Sequence, residues 1–298
     1  MANLIKFDAE KVKCWYSRED VFLMITSFNN FKYYSFLSYN PDGTSNPPRR
    51  FVTIIGKRRD CYNFYLKFCG VLKQPTNIFR DVSNWKTSRP YFSLKKEEYK
   101  KQREEFFGKV GEYKYRQHIY SNDFIMDIDA NNYYEAYPCA LKVFNLLKKF
   151  NVKFSIYCSG KKGFQILIPS DKCPVKEYFY DDEKKEHNNH ECLAFNIAQY
   201  IDDKEGNICQ SVYFDLHFVK QFYGLDARTY CPIIPLYENE FMDFIKYKDK
   251  DNPLVSYDYW MKEKDFTTRG LAWQGTENMN ELDKFLDLWI EKKLGGKK

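Results

Sequence analysis

Apolar and acidic positions alternate over Phe124-Ile125-Met126-Asp127-Ile128-Asp129, and that two-residue period predicts a strand. Phe124, Met126 and Ile128 share one face for packing, while Asp127 and Asp129 project together from the other, their Cα atoms roughly 7 Å apart. Over 138–150 the period lengthens: Leu141, Phe144 and Leu147 recur at helical spacing, and Pro138 is acceptable in a first turn. Two further strands are predicted at 152–158 and 164–168, joined by Ser159-Gly160-Lys161-Lys162-Gly163 and stopped by Pro169.

Outside this middle third the pattern is less regular. Ser17 and Asp20 offer caps for a helix at 21–26. A strand at 33–39 leads through Asn40-Pro41-Asp42-Gly43 to a return strand at 51–55, with Arg49 and Arg50 at its mouth. The helical stretch 95–107 mixes lysines with glutamates, as a solvated face does. Residues 180–191 read as a hydrophilic loop, 193–201 as a short helix and 211–217 as a strand. Near the end, Asn278 and Glu281 resemble a cap before the stripe Leu282, Phe285, Leu286 and Trp289. Strands and helices are interspersed without regular βα alternation, which predicts an α+β fold.

Composition narrows the class more than the function. Hydrophobic residues at 44% against charged residues at 30% describe a globular chain rather than a disordered one. No apolar run is long enough to cross a bilayer, and the first residues lack the apolar core of a signal peptide. A cytoplasmic location is expected (nucleoid-associated or nuclear if eukaryotic), with no membrane partner and nine reduced cysteines. The net charge of +6 permits a polyanionic partner without requiring one, since 41 acidic residues accompany 47 basic ones. Aromatic rings, at 19%, can stack on bases, although abundant Lys, Asn, Tyr and Phe also follow from an AT-rich coding sequence.

Three segments carry candidate chemistry. Asp127 and Asp129 stand at a spacing that can bridge divalent cations roughly 3.5–4 Å apart, although an Asp-x-Asp alone equally suits solvent-facing aspartates at a strand end. In the Ser159–Gly163 turn, glycines let backbone N–H groups converge where phosphate oxygens bind, and Lys161 and Lys162 add positive charge; a plain hairpin with solvated lysines fits the same residues. Gln165 shares a strand face with Leu167 and is placed to reach toward that turn. In Val212-Tyr213-Phe214-Asp215-Leu216-His217, Asp215 interrupts an apolar strand, and a carboxylate facing a core needs a charged or metallic partner.

Acidic pair, glycine turn and third acid occur in the order of the archaeo-eukaryotic primase superfamily, whose core shows hhhDxD, then SGxxGxH, then a strand bearing hD. The resemblance covers about residues 120–232, on Phe-Ile-Met-Asp127-Ile-Asp129, Ser159-Gly160-Lys-Lys-Gly163-Phe-Gln165 and Phe214-Asp215. It implies a primase-type catalytic core with an RRM-like sheet packed against a second α/β unit and an active cleft between them. The implied domain occupies 1–240, with an N-terminal α/β unit at about 1–115 and a motif-bearing core at about 116–240; 241–298 would be a C-terminal helical extension. The implied activity is a DNA-dependent primase-polymerase, a nucleotidyltransferase making or extending primers on a single-stranded DNA template from NTPs or dNTPs. Asp127, Asp129 and Asp215 would be its catalytic ligands for Mg²⁺ or Mn²⁺, with Asp226 the alternative third carboxylate. Ser159, Gly160, Lys161, Lys162, Gly163, Gln165 and Arg228 would receive the nucleotide. A primase large subunit, a helicase or another replication protein would be the partner.

The family histidine of the second motif is replaced by Gln165, whose amide can donate to phosphate but cannot carry an imidazolium charge. The zinc-binding insertion that often follows the first motif is missing, since only Cys139 lies there. A separate zinc site from Cys173, His187, His190 and Cys192 has the right ligand types but no CxxC pair. Two other functions remain open on sequence: a catalytically weakened primase-like module that binds nucleic acid or a replication partner, and a DxD metal-dependent glycosyltransferase.

Overall fold

The computed structural model describes residues 8–27, 33–39, 49–52, 76–81, 83–85, 96–107, 119–172, 189–208, 218–247 and 252–295. Two four-stranded antiparallel sheets organise these residues. The first contains β1 (Tyr33–Ser38), β2 (Arg49–Val52), β3 (Thr76–Asp81) and β9 (Phe218–Lys220), in the order β2-β1-β3-β9. The second contains β6 (Phe124–Asp129), β7 (Ser155–Cys158), β8 (Gly163–Ile168) and β10 (Pro235–Leu236), in the order β10-β7-β8-β6. A ribbon of β4 (Ser83–Trp85) and β5 (Ile119–Asn122) leads into β6. The mixture agrees with the α+β class.

Helices α1 (Ala9–Tyr16) and α2 (Glu19–Ser27) precede the first sheet. Asp8 caps α1 by accepting from Lys11 N at 3.0 Å. The charged stretch forms α3 (Lys96–Phe107). Asp20 lies in the first turn of α2, where its carboxylate binds Arg18 at 2.6 Å and accepts from Phe266 N at 3.0 Å, fastening α2 to the C-terminal region.

Helix α4 (Tyr133–Lys149) begins five residues before the expected start at Pro138. Asn132 caps it, its side chain accepting from Tyr134 N and Glu135 N at 2.9 and 3.0 Å. The extra turn buries Tyr133, Ala136 and Tyr137, and that burial outweighs the helix hydrogen bond Pro138 cannot make. Tyr133 and Tyr137 meet Phe164 of β8, which also touches Phe241 and Phe244. Those two rings come from α6 (Glu238–Asp243) and the short 3₁₀ turn Phe244–Lys246. One face of the second sheet is thus sealed by an aromatic cluster.

The opposite face of that sheet carries Asp127, Gln165 and Tyr157 in one cross-strand row. Tyr157 packs edge-on against Phe222 at 4.6 Å, and the Arg80 guanidinium from β3 lies 4.4 Å from the same ring. Arg80, almost wholly buried, pairs with Asp123 at 3.2 Å and so ties the first sheet to the start of β6. The expected strand at 152–158 is shorter, because Val152 and Phe154 bridge instead to Glu277 and Gln274 of the C-terminal segment. That segment includes the 3₁₀ turn Pro253–Val255, α7 (Tyr257–Trp260) and α8 (Asn280–Gly295). Helix α8 presents the expected stripe: Leu282 and Leu286 are buried, and Phe285 and Trp289 meet Tyr200 of α5 (Asn189–Tyr200). No helix of the described residues is long and apolar enough to cross a membrane.

Candidate active site

Strands β6 and β8 run antiparallel with Asp127 opposite Gln165 and Asp129 opposite Gly163. The acidic strand end therefore lies beside the glycine turn as its cross-strand neighbour. Close approach depends on Gly163: a Cβ there would fall 2.1 Å from Ile128 O and 2.5 Å from Asp129 Oδ1. The outer edge of β6 is held by Asp129 N donating to Asn207 O at 2.9 Å. Both carboxylates are thus placed by backbone pairing.

Gln165 is buried, and its Nε2 donates to Asp127 Oδ1 at 3.0 Å. Its amide is engaged along the sheet with the carboxylate rather than extended over the turn. The Asp127 carboxyl is pushed up to about 6, first by burial and then by the neighbouring charge of Asp129. Donation from Gln165 and the positive charges of Lys220 and Lys162 offset this only in part. Lys162 Nζ lies 3.4 Å from Asp129 Oδ2, with both side chains well exposed. At Asp127, burial and the neighbouring carboxylate together outweigh these favourable contacts.

In the turn, Ser159 N donates to Gly163 O at 2.8 Å and Gly163 N donates to Ser159 Oγ at 3.2 Å. Gly160 adopts φ +86°, where a side chain would strain the backbone. Lys161 is exposed, and its ammonium is shifted downward by partial desolvation and then by the cations of Arg228 and Lys162. Arg228 stacks 4.6 Å over the Tyr39 ring, and its buried Nε has no hydrogen-bond partner among the described residues. Cations crowd here as they do where a polyanion is to be received.

Ser159, Gly160, Lys161, Lys162, Gly163, Gln165, Arg228, Asp127 and Asp129 are therefore brought together. Asp215 lies outside the described residues, as do the turn at 40–43, most of the loop at 180–191, the strand at 211–217, Cys173 and His187. His190 and Cys192 fall within α5. Among the described residues no group of three or more His, Cys, Asp or Glu could hold a metal ion.

Behind the turn, around Asp226, stand Lys220, Thr229 and Asn77, which sequence reading left without a role. Lys220 donates to both Ser159 O and Asp226 Oδ2 at 2.6 Å. Thr229 Oγ1 donates to Gly160 O at 2.6 Å. Asn77 of β3 accepts from Ala227 N at 2.6 Å and donates to Tyr39 at 3.1 Å, joining the first sheet to this corner. One signal was legible: Asp followed by Ala-Arg-Thr is the composition of a turn in which aspartate accepts from the amides two and three residues on. Arg228 N and Thr229 N do donate to Asp226 Oδ1, at 2.9 and 3.1 Å. Lys220 has Asp226 six residues on, but its contact with Ser159, 61 residues away, arises only from the fold.

Chemically, the arrangement offers two fixed carboxylates able to share divalent cations and an adjoining cationic turn suited to phosphate oxygens. No protein-family model matches the chain, and no curated protein sequence matches it. Among solved structures, the fold is similar to the polymerase domain of ligase D from Mycobacterium tuberculosis, determined in complex with DNA. The TM-score is 0.51 and the identity 12%, over 95% of this chain and 97% of that one. At that identity the likeness establishes a common fold.

Proposed function

We propose that this chain is a nucleotidyltransferase of the primase-polymerase kind, adding nucleotides to a strand held on a single-stranded DNA template. The observation that carries the reading is the register that sets Asp127 and Asp129 directly across from Gln165 and Gly163. A phosphate-receiving turn and a cation-binding pair must adjoin if one substrate is to span both. The fold shared with a polymerase domain supports the same reading. A nucleotide-sugar transferase built on one Asp-x-Asp leaves the glycine turn and its cations idle.

The donor set suits a hard dication: two same-face carboxylates, one of them raised to about 6 by burial and by its neighbour's charge. Asp127 and Asp129 would hold Mg²⁺ or Mn²⁺, with Asp215 as a further ligand; when bound, the ions lower the pKa of the attacking 3′-hydroxyl and balance charge on the α-phosphate as pyrophosphate leaves. Gln165 fixes the orientation of the Asp127 carboxylate by donating to one of its oxygens. The turn amides and Ser159 receive the triphosphate, and Lys161, Lys162 and Arg228 neutralise its outer phosphates. Template binding would be electrostatic and largely independent of sequence.

The test is to incubate the protein with single-stranded DNA, Mg²⁺ or Mn²⁺ and each labelled nucleotide pool, and to resolve products by length. The wild type should extend or start chains. Asp127→Ala with Asp129→Ala should lower incorporation by about a thousandfold or more, and Asp215→Asn should cut the rate severely while leaving template affinity unchanged. Near wild-type incorporation by the double variant removes the catalytic assignment.

A further inference from the structure

One layer of hydrogen-bond donors, Lys220 and Thr229, lies between Asp226 and the glycine turn. Asp226 is almost wholly buried, and both its oxygens are committed. Oδ2 pairs with Lys220 Nζ at 2.6 Å, and Oδ1 accepts from Arg228 N and Thr229 N. The same Lys220 ammonium donates to Ser159 O, and Thr229 Oγ1 to Gly160 O, each at 2.6 Å. Thr229 Oγ1 also lies 3.2 Å from Asp226 Oδ1, but its single proton serves the shorter contact. Consecutive carbonyls of the turn are thus each held by a donor that Asp226 orients.

Peptide geometry gives this a consequence for binding. In a trans peptide the carbonyl and the following N–H point in opposite directions. With the carbonyls of Ser159 and Gly160 turned inward to Lys220 and Thr229, the amides of Gly160 and Lys161 point outward. Two successive outward amides, one beside a residue of positive φ, form a concavity that accepts an anion. Gly160 fits the anchor closely: a Cβ there would lie 2.7 Å from Asp226 Cβ. Glycine at 160 therefore answers both the backbone angle and the carboxylate packed against it.

We infer that Asp226 is a positioning residue, holding the Ser159–Gly163 turn in its anion-receiving shape through Lys220 and Thr229. This rests on the reading of that turn as the nucleotide's phosphate site, and it argues against Asp226 as an alternative third metal ligand, because the carboxylate is buried and each of its oxygens already takes a donor. Lys220 ends β9 of the first sheet and Ser159 directly follows β7 of the second, so the anchor also sets the height of the turn relative to β9.

Asp226→Asn keeps an oxygen for the two amides but turns an NH₂ group toward the Lys220 ammonium, donor against donor. Hydrogen–deuterium exchange over 159–163 should accelerate, and the KM for nucleoside triphosphate should rise roughly tenfold, within the range that small misplacements cost, with DNA affinity unchanged. Thr229→Val, which loses the bond to Gly160 O together with the acceptor for Cys231 N and the 3.2 Å contact with Asp226 Oδ1, but keeps the Lys220 arm, should move both readouts the same way by less, and it carries the test if Asp226→Asn does not fold. Asp20→Asn breaks a different ion pair, with Arg18, and should change neither. Wild-type exchange over 159–163 in both Asp226→Asn and Thr229→Val, or an equal acceleration in Asp20→Asn, overturns the anchor. If the wild type binds no nucleotide, the functional reading falls by itself, and the exchange comparison still decides whether Asp226 holds the turn.

Discussion

Asp127 and Asp226 are the same chemical group within one corner of the molecule, and they are kept in opposite states. Asp226 receives two backbone amides and a lysine ammonium, and its charge is balanced where it stands. Asp127 receives one amide from Gln165, sits beside a second carboxylate, and has its carboxyl pushed up to about 6. A saturated carboxylate builds structure. On the proposed reading, one left short of positive charge takes a cation from solution, because that cation would relieve a cost already present in the fold.

Substitution at the two sites should therefore change stability in opposite directions. Asp226→Asn leaves Lys220 without its counter-charge and should destabilise the metal-free protein by about 2–4 kcal/mol, as breaking a largely buried pair does. Asp127→Asn should stabilise it by about 1–2 kcal/mol at pH 8. The pH dependence follows from the raised carboxyl. Well below about pH 4 Asp127 is neutral folded or unfolded and costs nothing; between about 4 and 6 the unfolded chain ionises while the folded one resists, so native stability falls, and above 6, where both are ionised, the loss is complete and constant. The advantage of Asp127→Asn should thus fade on acidification, in denaturant titrations of both proteins from pH 4 to 8. An equal loss from both substitutions at pH 8 would break the contrast.

A smaller effect sharpens the same comparison on the cationic side. Lys161→Ala with Lys162→Ala should raise the nucleotide KM several-fold and weaken DNA binding less, since these lysines flank the turn. Lower DNA affinity with unchanged nucleotide KM would move them to the template path.

How much of this was legible in the sequence differs between the same two regions. The acidic strand was readable because its alternation is local: burial of Phe124, Met126 and Ile128 with outward Asp127 and Asp129 follows from a two-residue period. The turn was readable from its glycines. The antiparallel register that joins the two was not, since it depends on tertiary pairing of β6 with β8. Gln165 was assigned to the phosphates by its place in a motif, whereas its amide turns along the sheet to Asp127. The contact of Lys220 with Ser159 was invisible for the same reason as that of Arg80 with Asp123: each joins segments distant in the chain that only the fold brings together. The start of α4 was misplaced because Pro138 is a strong local signal, while Asn132 and the burial of Tyr133 and Tyr137 are decided elsewhere.

The central claim is that the charge-starved pair takes a divalent cation and the saturated carboxylate does not. Calorimetric titration of Mn²⁺ into the protein with a nucleoside triphosphate present tests it most directly, compared among wild type, Asp127→Ala with Asp129→Ala, and Asp226→Asn. Control titrations of Mn²⁺ into the nucleotide alone are subtracted. The account predicts protein-dependent binding in the wild type, its loss in the double variant, and its retention in Asp226→Asn at nucleotide concentrations that compensate the weaker turn. Undiminished binding by the double variant, or its loss from Asp226→Asn alone, would contradict it.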